Sequence, residues 1–143
     1  MEAKERLTIN LLTEQRPVVF EDLCNGKGTV NYNHNISEVF VKKTEGGGVE
    51  VVSDEAESTG KMFKYDCLRV DWPLTRNNVL ATLLNAKFDR NEEQKLMNDY
   101  EAAQLGILDE SYKAPYVAFL KERKSLKEMV DADGAANNIP NTL

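Results

Sequence analysis

Residues 61–84 read KMFKYDCLRVDWPLTRNNVLATLL, and they decide the fold class because their hydrophobic period changes partway along. Up to Trp72 the apolar residues alternate as in a β-strand, but they change from odd to even positions along the strand. The first set is Phe63, Tyr65 and Cys67, and the second set is Leu68, Val70 and Trp72. A β-bulge near Cys67 would place both sets on one face. Pro73 lacks a backbone donor and ends the strand. Thr75 is then a suitable N-cap for a helix with apolar residues at helical spacing, which are Val79, Leu80, Leu83 and Leu84.

The residues before this stretch predict further β-strands. Leu7–Leu12 alternates apolar and polar residues, and a second short strand is expected from Val18, directly after Pro17. The clearest signal is a hairpin, in which Glu38–Lys43 alternates, Gly46 to Gly48 form the turn and Val49–Val51 return. A turn at Asn25–Gly28 and an acidic, solvated loop at Ser53–Gly60 complete the first half.

The residues after this stretch predict two more helices. Asp89 is an N-cap three residues before Glu92, and the helix that follows should stop at Gly106. Asp109 or Ala114 caps the third helix, which has Pro115 in its first turn. Its apolar stripe consists of Tyr116, Phe119, Leu120, Leu126, Met129 and Val130, and Gly134 is expected to end it. Residues 135–143 should be mobile or held only by a partner.

The sequence therefore predicts an α+β fold, with a small antiparallel sheet in the N-terminal half followed by a three-helix C-terminal unit. The expected divisions are a β-rich platform at 1–73, a three-helix unit at 74–132 that shares its core, and a flexible C-terminal tail at 133–143. The length of 143 residues suits one compact domain or two small units with a common core.

Composition excludes several classes of function. The net charge of −6 argues against a nucleic-acid binder, which needs a clustered excess of Lys and Arg. No apolar run approaches the roughly 20 residues that span a bilayer. Residues 1–6 are not followed by the hydrophobic region of a signal peptide. These features predict a soluble protein made in the cytoplasm, without direct contact to nucleic acid or membrane.

The two cysteines and the single histidine do not form a recognisable catalytic motif. Cys24 and Cys67 are interpreted as free thiols, because small disulfide-stabilised domains are secreted and carry more cysteines. The alternative is that the two thiols face each other on adjacent strands. Cys24 and His34 could form a thiol–imidazole pair only if the fold brings them within hydrogen-bond reach. The preferred interpretation is a surface-loop histidine next to an unrelated cysteine.

Other candidate sites are also better explained structurally. Residues 131–134 contain part of a calcium-loop pattern but lack its later acidic ligands, so a helix end is preferred. Residues 25–29 contain a glycine-flanked lysine, but the next residue is Gly28 rather than Ser or Thr, so a turn is preferred to a phosphate loop. Paired carboxylates lie in loops or first helical turns, where they favourably meet the helix dipole. The sequence predicts no catalytic residue, no cofactor site and no metal site.

Two exposed segments are candidates for partner contacts. The first is the hairpin tip, and the second is the C-terminal tail, whose ordering on a partner would cover a large surface. The candidate contact residues are Gly46, Gly47, Gly48, Ile139, Pro140 and Leu143.

Residues 61–130 resemble the C-terminal helical segment of small proteins encoded by phages and prophages of gut bacteria. The resemblance rests on a strand that ends near Pro73, a helix that ends in Lys87-Phe88, and a Glu-rich start at Glu92 of the next helix. In the family the last helix has the form aromatic–x–x–Arg–x–x–(Ala/Leu)–Lys. Helix 116–130 matches it at Arg123, Leu126 and Lys127 and departs from it at the aromatic position, where Trp is common and Phe119 stands four residues before Arg123. The N-terminal half has no counterpart in this family.

This resemblance implies a non-enzymatic virion structural or assembly protein, a component of a phage head, neck or tail. Its partners would be other protein subunits, either further copies of itself or particle proteins, in an oligomer or larger assembly. Such a protein would reside in the host cytoplasm during assembly and then in the virion. The alternative is a small acidic adaptor or inhibitor of one host protein, for which the charge would steer association.

Overall fold

The computed structural model of the chain describes residues 2–143, and Met1, where the predicted platform begins, lies outside them. The predicted α+β class is confirmed, since the described part of the chain has five strands in its first half and three α-helices in its second. None of the helices within residues 2–143 has an apolar stretch long enough to cross a bilayer.

The strands form one antiparallel sheet. Its order is β1-β5-β3-β2, and β4 pairs with the other end of β3. The bounds of the strands are β1 Leu7–Thr13, β2 Phe20–Asp22, β3 Val30–Lys43, β4 Val49–Val52 and β5 Gly60–Val70. The predicted hairpin is confirmed as β3 and β4, with Lys43 opposite Val49.

The helices follow the predicted order. Their bounds are α1 Arg76–Lys87, α2 Arg90–Gln104 and α3 Ala114–Ala136. Three short 3₁₀ turns lie at Ala3–Arg6, Glu55–Glu57 and Glu110–Lys113, the second of them within the acidic loop.

The chain divides into two compact units. The sheet unit is Arg6–Trp72, and the helical unit consists of residues 2–5 and Pro73–Leu143. The buried apolar residues of the sheet unit are Val30, Tyr32, Val41, Leu68 and Val70, and those of the helical unit are Val79, Leu83, Ala86, Ala103, Phe119, Leu126, Val130 and Ile139. Full burial of one Val or Leu side chain contributes about 1.5–3 kcal/mol, and these side chains form the apolar core of each unit.

Strand β3 begins well before the segment that the sequence predicted. Residues 30–34 and Ser37 precede the predicted segment and are paired with β5, with Tyr32 opposite Leu68, although His34 was expected on a surface loop. The segment before β2 is hydrogen-bonded to this part of β3, because the Asn33 N–H donates to the Val19 carbonyl at 2.7 Å. The Asn33 side chain donates to the Val18 carbonyl at 2.8 Å, so the strand expected from Val18 begins only at Phe20.

The predicted β-bulge lies in the neighbours of β5 rather than in β5. The register shifts between Thr8 and Leu11 of β1 and between His34 and Ser37 of β3, whereas β5 is continuous. An asparagine at each shift has positive φ, 58° at Asn10 and 51° at Asn35. Asp66 joins the two shifts, since it accepts from the Asn10 N–H at 3.0 Å and from the Asn35 side chain at 2.9 Å.

The predicted caps of α1 and α2 are confirmed. Thr75 accepts from the Asn78 N–H at 3.1 Å, and Asp89 accepts from the Asn91 N–H at 2.9 Å. The predicted cap of α3 at Asp109 or Ala114 is wrong, because Asp109 caps the 3₁₀ turn that leads into α3, and the N-cap of α3 itself is Lys113, which makes no side-chain cap bond. Gly106 follows α2 with φ of 77°, a conformation that glycine adopts without steric cost, and therefore ends the helix as expected.

The predicted end of α3 at Gly134 is wrong. Gly134 is buried inside the helix, which continues to Ala136. A Cβ at this position would lie 2.6 Å from Nε of Arg76, so glycine is required here by the Arg76 side chain and not by a helix end. Residues 133–136, predicted as the start of a flexible tail, are therefore helical.

Candidate functional site

The hairpin tip, a predicted contact region, projects from the sheet unit. Gly46, Gly47 and Gly48 are exposed, and the turn is closed by a 2.9 Å hydrogen bond from the Thr44 N–H to the Gly48 carbonyl. A Cβ at Gly46 or Gly47 would meet nothing within 4 Å. The tip is therefore accessible to a partner. On β4 it is followed by two exposed valines, Val49 and Val51.

The predicted tail contacts divide into buried and exposed residues. Ile139 is only 9% exposed, and its carbonyl accepts a 2.8 Å hydrogen bond from Nε of Arg76. Pro140 is exposed, but its carbonyl accepts from the Arg76 N–H at 2.8 Å. Leu143 is 83% exposed. The expectation that residues 135–143 are mobile or held only by a partner is thus corrected for 139–141, which the chain itself holds.

These tail contacts complete the N-terminus of α1. A helix leaves its first N–H groups without partners in the helix. Pro140 accepts from Arg76, Asn141 accepts from Asn77 at 3.2 Å, and Thr75 accepts from Asn78. The tail and the Thr75 side chain therefore satisfy the first three donors of α1.

The tail reaches α1 through a tight helix end. The Ile139 N–H donates to the Gly134 carbonyl at 2.8 Å, and the Asn138 N–H donates to the Ala135 carbonyl at 3.4 Å. This is the Schellman pattern, in which the residue after the C-cap takes a left-handed conformation. Here that residue is Asn138, with φ of 59°.

Sequence reasoning missed an exposed apolar pair in the helical unit. Leu105 and Ile107 flank Gly106 after α2 and are 76% and 73% exposed. Tyr112, Val117 and Leu120 of the following segment are also exposed. Exposed large apolar side chains can belong to protein contact surfaces. The detectable signal was the presence of apolar residues on both sides of a predicted helix-stop glycine.

Trp72 is a second exposed apolar side chain that the sequence did not single out as a contact. It is 63% exposed at the end of the sheet unit. A Cβ at Gly28 would lie 2.8 Å from Cδ1 of Trp72, and Gly28 has φ of 71°. Glycine therefore lets the indole lie directly against this turn, while much of the ring stays accessible. Exposed aromatic side chains are frequent in protein interfaces.

His34 is not the surface-loop histidine that the sequence predicted. It is 2% exposed within β3 and is stacked on Tyr32 at 4.6 Å between ring centroids. Tyr32 in turn is stacked on Phe20 at 4.9 Å. His34 Nδ1 lies 3.0 Å from the Tyr32 carbonyl oxygen, which forms a hydrogen bond when the proton is on Nδ1. This environment is that of a packed core residue.

The cysteines occupy different environments. The prediction that both are free thiols is confirmed, with Cys24 exposed and Cys67 partly buried. Burial raises the pKa of the Cys67 thiol, and the nearby negative charge of Glu21 raises it further. Cys67 is therefore less nucleophilic than an ordinary thiol at neutral pH.

Two carboxyl groups have a lowered pKa because they accept hydrogen bonds. Hydrogen bonds from Ser111 lower the pKa of Asp109, the cap of the turn before α3. Arg6 donates a 2.8 Å hydrogen bond to Asp71, which lowers the pKa of that carboxyl. Both groups act in the structure, as a cap and as half of an ion pair.

Two open recesses lie on the surface. One of about 300 Å³ lies beside the hairpin in the sheet unit, and its charged lining residues are Glu14, Lys43 and Lys61. The other, of about 480 Å³, lies in the helical unit, and its charged lining residues are Glu2, Lys4, Asp89 and Arg90. Both linings mix the two signs of charge. Within residues 2–143, no group of three His, Cys, Asp or Glu side chains is placed to hold a metal ion.

The basic residues of α3 lie among acidic ones. Lys127 pairs with Asp131 at 3.3 Å, and Lys124 pairs with Glu128 at 3.9 Å. Such exposed pairs contribute little to stability but lower the net positive charge of this face.

No protein-family model matches the chain, and no similar curated protein or solved structure was found. The candidate functional site is consequently defined by the molecule's own surface. The candidate contact surfaces are the hairpin tip in the sheet unit and, in the helical unit, the exposed pair Leu105 and Ile107 and the tail on α1.

Proposed function

We propose that this protein is a non-enzymatic component of a phage particle, or a factor in its assembly, that acts by binding other protein subunits. The main support is the exposure of large apolar side chains in the helical unit, led by Leu105 and Ile107. Keeping two neighbouring apolar side chains in water costs free energy that a contact would recover. The resemblance of residues 61–130 to phage-encoded proteins supports the choice of a phage particle.

The hairpin tip adds support from the sheet unit. Strand β4 lies off the main order of the sheet and carries the exposed Val49 and Val51. A strand at a sheet edge can pair with a strand of another chain, and its alternate side chains then give specificity. The proposed site of action is the host cytoplasm during assembly and the virion afterwards, without direct contact to nucleic acid or membrane.

Mass spectrometry of purified particles from the host or phage that carries the gene tests this proposal. We expect the protein at a fixed ratio to other particle proteins. Size-exclusion chromatography with light scattering, on the protein alone and mixed with particle proteins, should show a complex. A strict monomer that is also absent from purified particles and assembly intermediates would overturn the proposal.

The second candidate function is an adaptor or inhibitor that binds one host protein. The exposed acidic residues Asp54, Glu55 and Glu57 and the net charge of −6 favour a basic partner. A pull-down from host lysate separates the two functions. One stoichiometric host protein supports the adaptor, and recovery of particle proteins alone supports the assembly component.

A further inference from the structure

We propose that Asn25 is a self-modification site, at which the Gly26 backbone nitrogen attacks the asparagine side chain and converts it to aspartate and isoaspartate. We further infer that the isoaspartate form changes the surface around Trp72. This modification lies beyond the proposed function and does not depend on it.

Asn25 and Gly26 form the only Asn–Gly dipeptide of the sequence. The reaction requires the nitrogen of the next residue to reach Cγ of the asparagine, and a side chain on that residue hinders the approach. Glycine has no side chain and adopts a wide range of backbone conformations, so asparagine reacts fastest when glycine follows it. Both residues are exposed, and a Cβ at Gly26 would meet nothing within 4 Å. Water therefore reaches the site, and the backbone has room to move.

The turn folds the Asn25 side chain back over the peptide group that reacts. Its Oδ1 accepts a hydrogen bond from the Lys27 N–H at 3.0 Å, as in an Asx turn. The hydrogen-bonded ring that results contains both reacting atoms, Cγ of Asn25 and the nitrogen of Gly26. The same hydrogen bond draws electron density from Cγ and stabilises the negative charge that develops on Oδ1 during the attack.

The turn is fixed at its base, which maintains this arrangement. The Leu23 N–H donates to the Thr29 carbonyl at 3.2 Å, and Thr29 is 4% exposed. Between these two residues, Gly26 and Gly28 have φ of 75° and 71°. The base thus holds the ends of the turn together, while the exposed tip adjusts to ring closure.

The reaction needs only water as a co-reactant. The Gly26 nitrogen loses its proton to solvent and forms a bond to Cγ of Asn25, and the bond from Cγ to Nδ2 breaks, which releases ammonia. The product is a succinimide ring. Water then breaks one of the two bonds from the ring nitrogen to carbonyl carbon. Hydrolysis at Cγ gives aspartate, and hydrolysis at the main-chain carbonyl gives isoaspartate, in which the main chain runs through Cβ and Cγ.

The asparagines at the end of α3 provide a contrast. Asn137 is followed by Asn138, whose N–H donates to the Ala135 carbonyl at 3.4 Å. Asn138 is followed by Ile139, whose N–H donates to the Gly134 carbonyl at 2.8 Å. A nitrogen that is held in such a bond, and whose residue has a side chain, is poorly placed to attack. These two asparagines should therefore persist.

The turn connects the modification to Trp72. A Cβ at Gly28 would lie 2.8 Å from Cδ1 of Trp72, so the indole lies directly against the turn, and it is 63% exposed. Isoaspartate adds one carbon atom to the main chain and removes the oxygen that accepts from Lys27. With its base closed by Leu23 and Thr29, the turn cannot absorb the extra atom without moving the residues near Gly28. The indole therefore changes its surroundings.

Incubation of the full chain in a mildly alkaline buffer tests the site. Peptide mapping by mass spectrometry should show conversion of amide to acid at residue 25, with aspartate and isoaspartate as products. An isoaspartate-specific methyltransferase identifies the second product. Asn137 and Asn138 of the same sample are internal controls, and we expect them to convert at least about tenfold more slowly.

Two substitutions at Lys27 test the role of the turn. Lys27→Pro removes the N–H that donates to Oδ1 and should slow the conversion about fivefold, as expected for loss of one hydrogen bond. Lys27→Ala keeps the N–H, removes the charged side chain and should convert like the unmodified chain. Circular dichroism checks that both variants are folded.

Fluorescence of Trp72, the only tryptophan of the chain, tests the connection to its surface. Its emission maximum should shift in step with the accumulation of isoaspartate. Asn25→Asp is the matched control, because it adds the negative charge and keeps both the acceptor oxygen and the normal main chain. We expect its emission to stay close to that of the unmodified chain.

Each result has a definite meaning. Conversion at residue 25 that exceeds conversion at 137 and 138, together with a shift in Trp72 emission, supports the inference. An unconverted residue 25, or equal conversion at 137 and 138, overturns the site. Equal rates in Lys27→Pro and Lys27→Ala overturn the role of the turn, and constant emission during isoaspartate accumulation overturns the connection to Trp72. The presence of the protein in purified particles is unaffected by any of these results.

Discussion

Within residues 2–143, asparagines occupy three of the four non-glycine positions with positive φ, at Asn10, Asn35 and Asn138, and Cys24 is the fourth. Asparagine tolerates this conformation better than most residues, because its short polar side chain bonds locally. Two of these asparagines lie at the register shifts on either side of β5, and Asp66 accepts a hydrogen bond from each. One carboxylate therefore stabilises both irregular points of the sheet.

Replacing Asp66 should destabilise the sheet unit. Asp66→Ala removes the acceptor for the Asn10 N–H and the Asn35 amide, and we expect a loss of about 2–3 kcal/mol in the free energy of unfolding, since hydrogen bonds to charged groups are stronger than neutral ones. Asp66→Asn keeps one acceptor oxygen and should lose about half as much. Urea denaturation measures both variants. Equal stability of Asp66→Ala and the unmodified protein would contradict this role.

The ion pair of Arg6 and Asp71 should make the free energy of unfolding depend on pH in the acid range. The hydrogen bond from Arg6 lowers the pKa of Asp71 in the folded protein, so the folded state binds this proton less readily than the unfolded state. The contribution of the ion pair to the free energy of unfolding is complete above the ordinary Asp pKa of about 3.9. It is lost as the pH falls through the lower pKa that Asp71 has in the folded protein. Because the Asp71 side chain is 59% exposed, solvent screening keeps the contribution at about 0.5–1 kcal/mol or below.

A double-mutant cycle of Arg6→Gln and Asp71→Asn checks this dependence. At pH 7 the two substitutions should show a coupling free energy of about 0.5 kcal/mol, and the coupling should disappear once Asp71 is protonated in the folded state. Urea titrations at several pH values provide the measurement. A coupling that is constant down to the acid limit of folding would show that the pair does not act through charge.

At the scale of elements, the position of Gly134 is explained by a contact with α1. Glycine inside a helix costs about 1 kcal/mol relative to alanine. Helix α3 accepts this cost because the Arg76 side chain lies where a Cβ would be. The same side chain holds the Ile139 carbonyl at 2.8 Å. The glycine thus allows α1, α3 and the tail to meet at Arg76.

This explanation predicts that Gly134→Ala lowers the free energy of unfolding when the Arg76 side chain is present and raises it when that side chain is removed. Gly134→Ala alone should destabilise the protein by about 1 kcal/mol, because displacement of Arg76 breaks a charged hydrogen bond worth more than the gain in helix propensity. In the Arg76→Ala background, the same substitution should stabilise by about 0.5–1 kcal/mol, since the space is then empty. Thermal and urea unfolding measure both. Stabilisation in both backgrounds would contradict the contact.

Elements determined by local chemistry were predictable from the sequence, whereas those determined by distant contacts were not. Thr75, Asp89 and Gly106 each mark a helix boundary through a bond or φ value within a few residues. The first half of β3 was missed because its asparagines disfavour strands, and its pairing partner β5 lies far along the chain. The alternation of Val30, Tyr32, His34 and Ile36 was the available signal.

Of the candidate contact surfaces, those determined by local chemistry were predictable from the sequence and those determined by distant contacts were not. The exposed hairpin tip follows from its glycines and local turn chemistry. The tail was judged only by its composition, which is typical of a mobile segment, because its acceptor partners lie at the start of α1. Gly134 was misinterpreted as a helix end, since the Arg76 side chain that requires it cannot be inferred from neighbouring residues.

At the scale of the whole molecule, charge and exposed apolar side chains have complementary effects. The net charge of −6 keeps copies apart at long range and makes encounters sensitive to salt. The apolar pair at 105 and 107 provides short-range attraction once a partner is close. Such a molecule is expected to stay dispersed when dilute and to bind partners of complementary charge and shape.

The pair Leu105→Ser and Ile107→Ser should therefore weaken binding without weakening the fold. Both side chains are largely exposed, so we expect the free energy of unfolding to change by less than about 0.5 kcal/mol. Affinity for particle proteins should fall about tenfold or more if the pair lies at the centre of a contact. Ile9→Ser with Val18→Ser is the matched control, because these side chains are also exposed but belong to the sheet unit. Light scattering and binding assays compare the two variants.

The comparison of the 105/107 variant with its control tests whether partner binding depends on a defined contact surface. Equal loss of partner binding in the 105/107 variant and its control would mean that general surface hydrophobicity, rather than a defined contact on the helical unit, drives association.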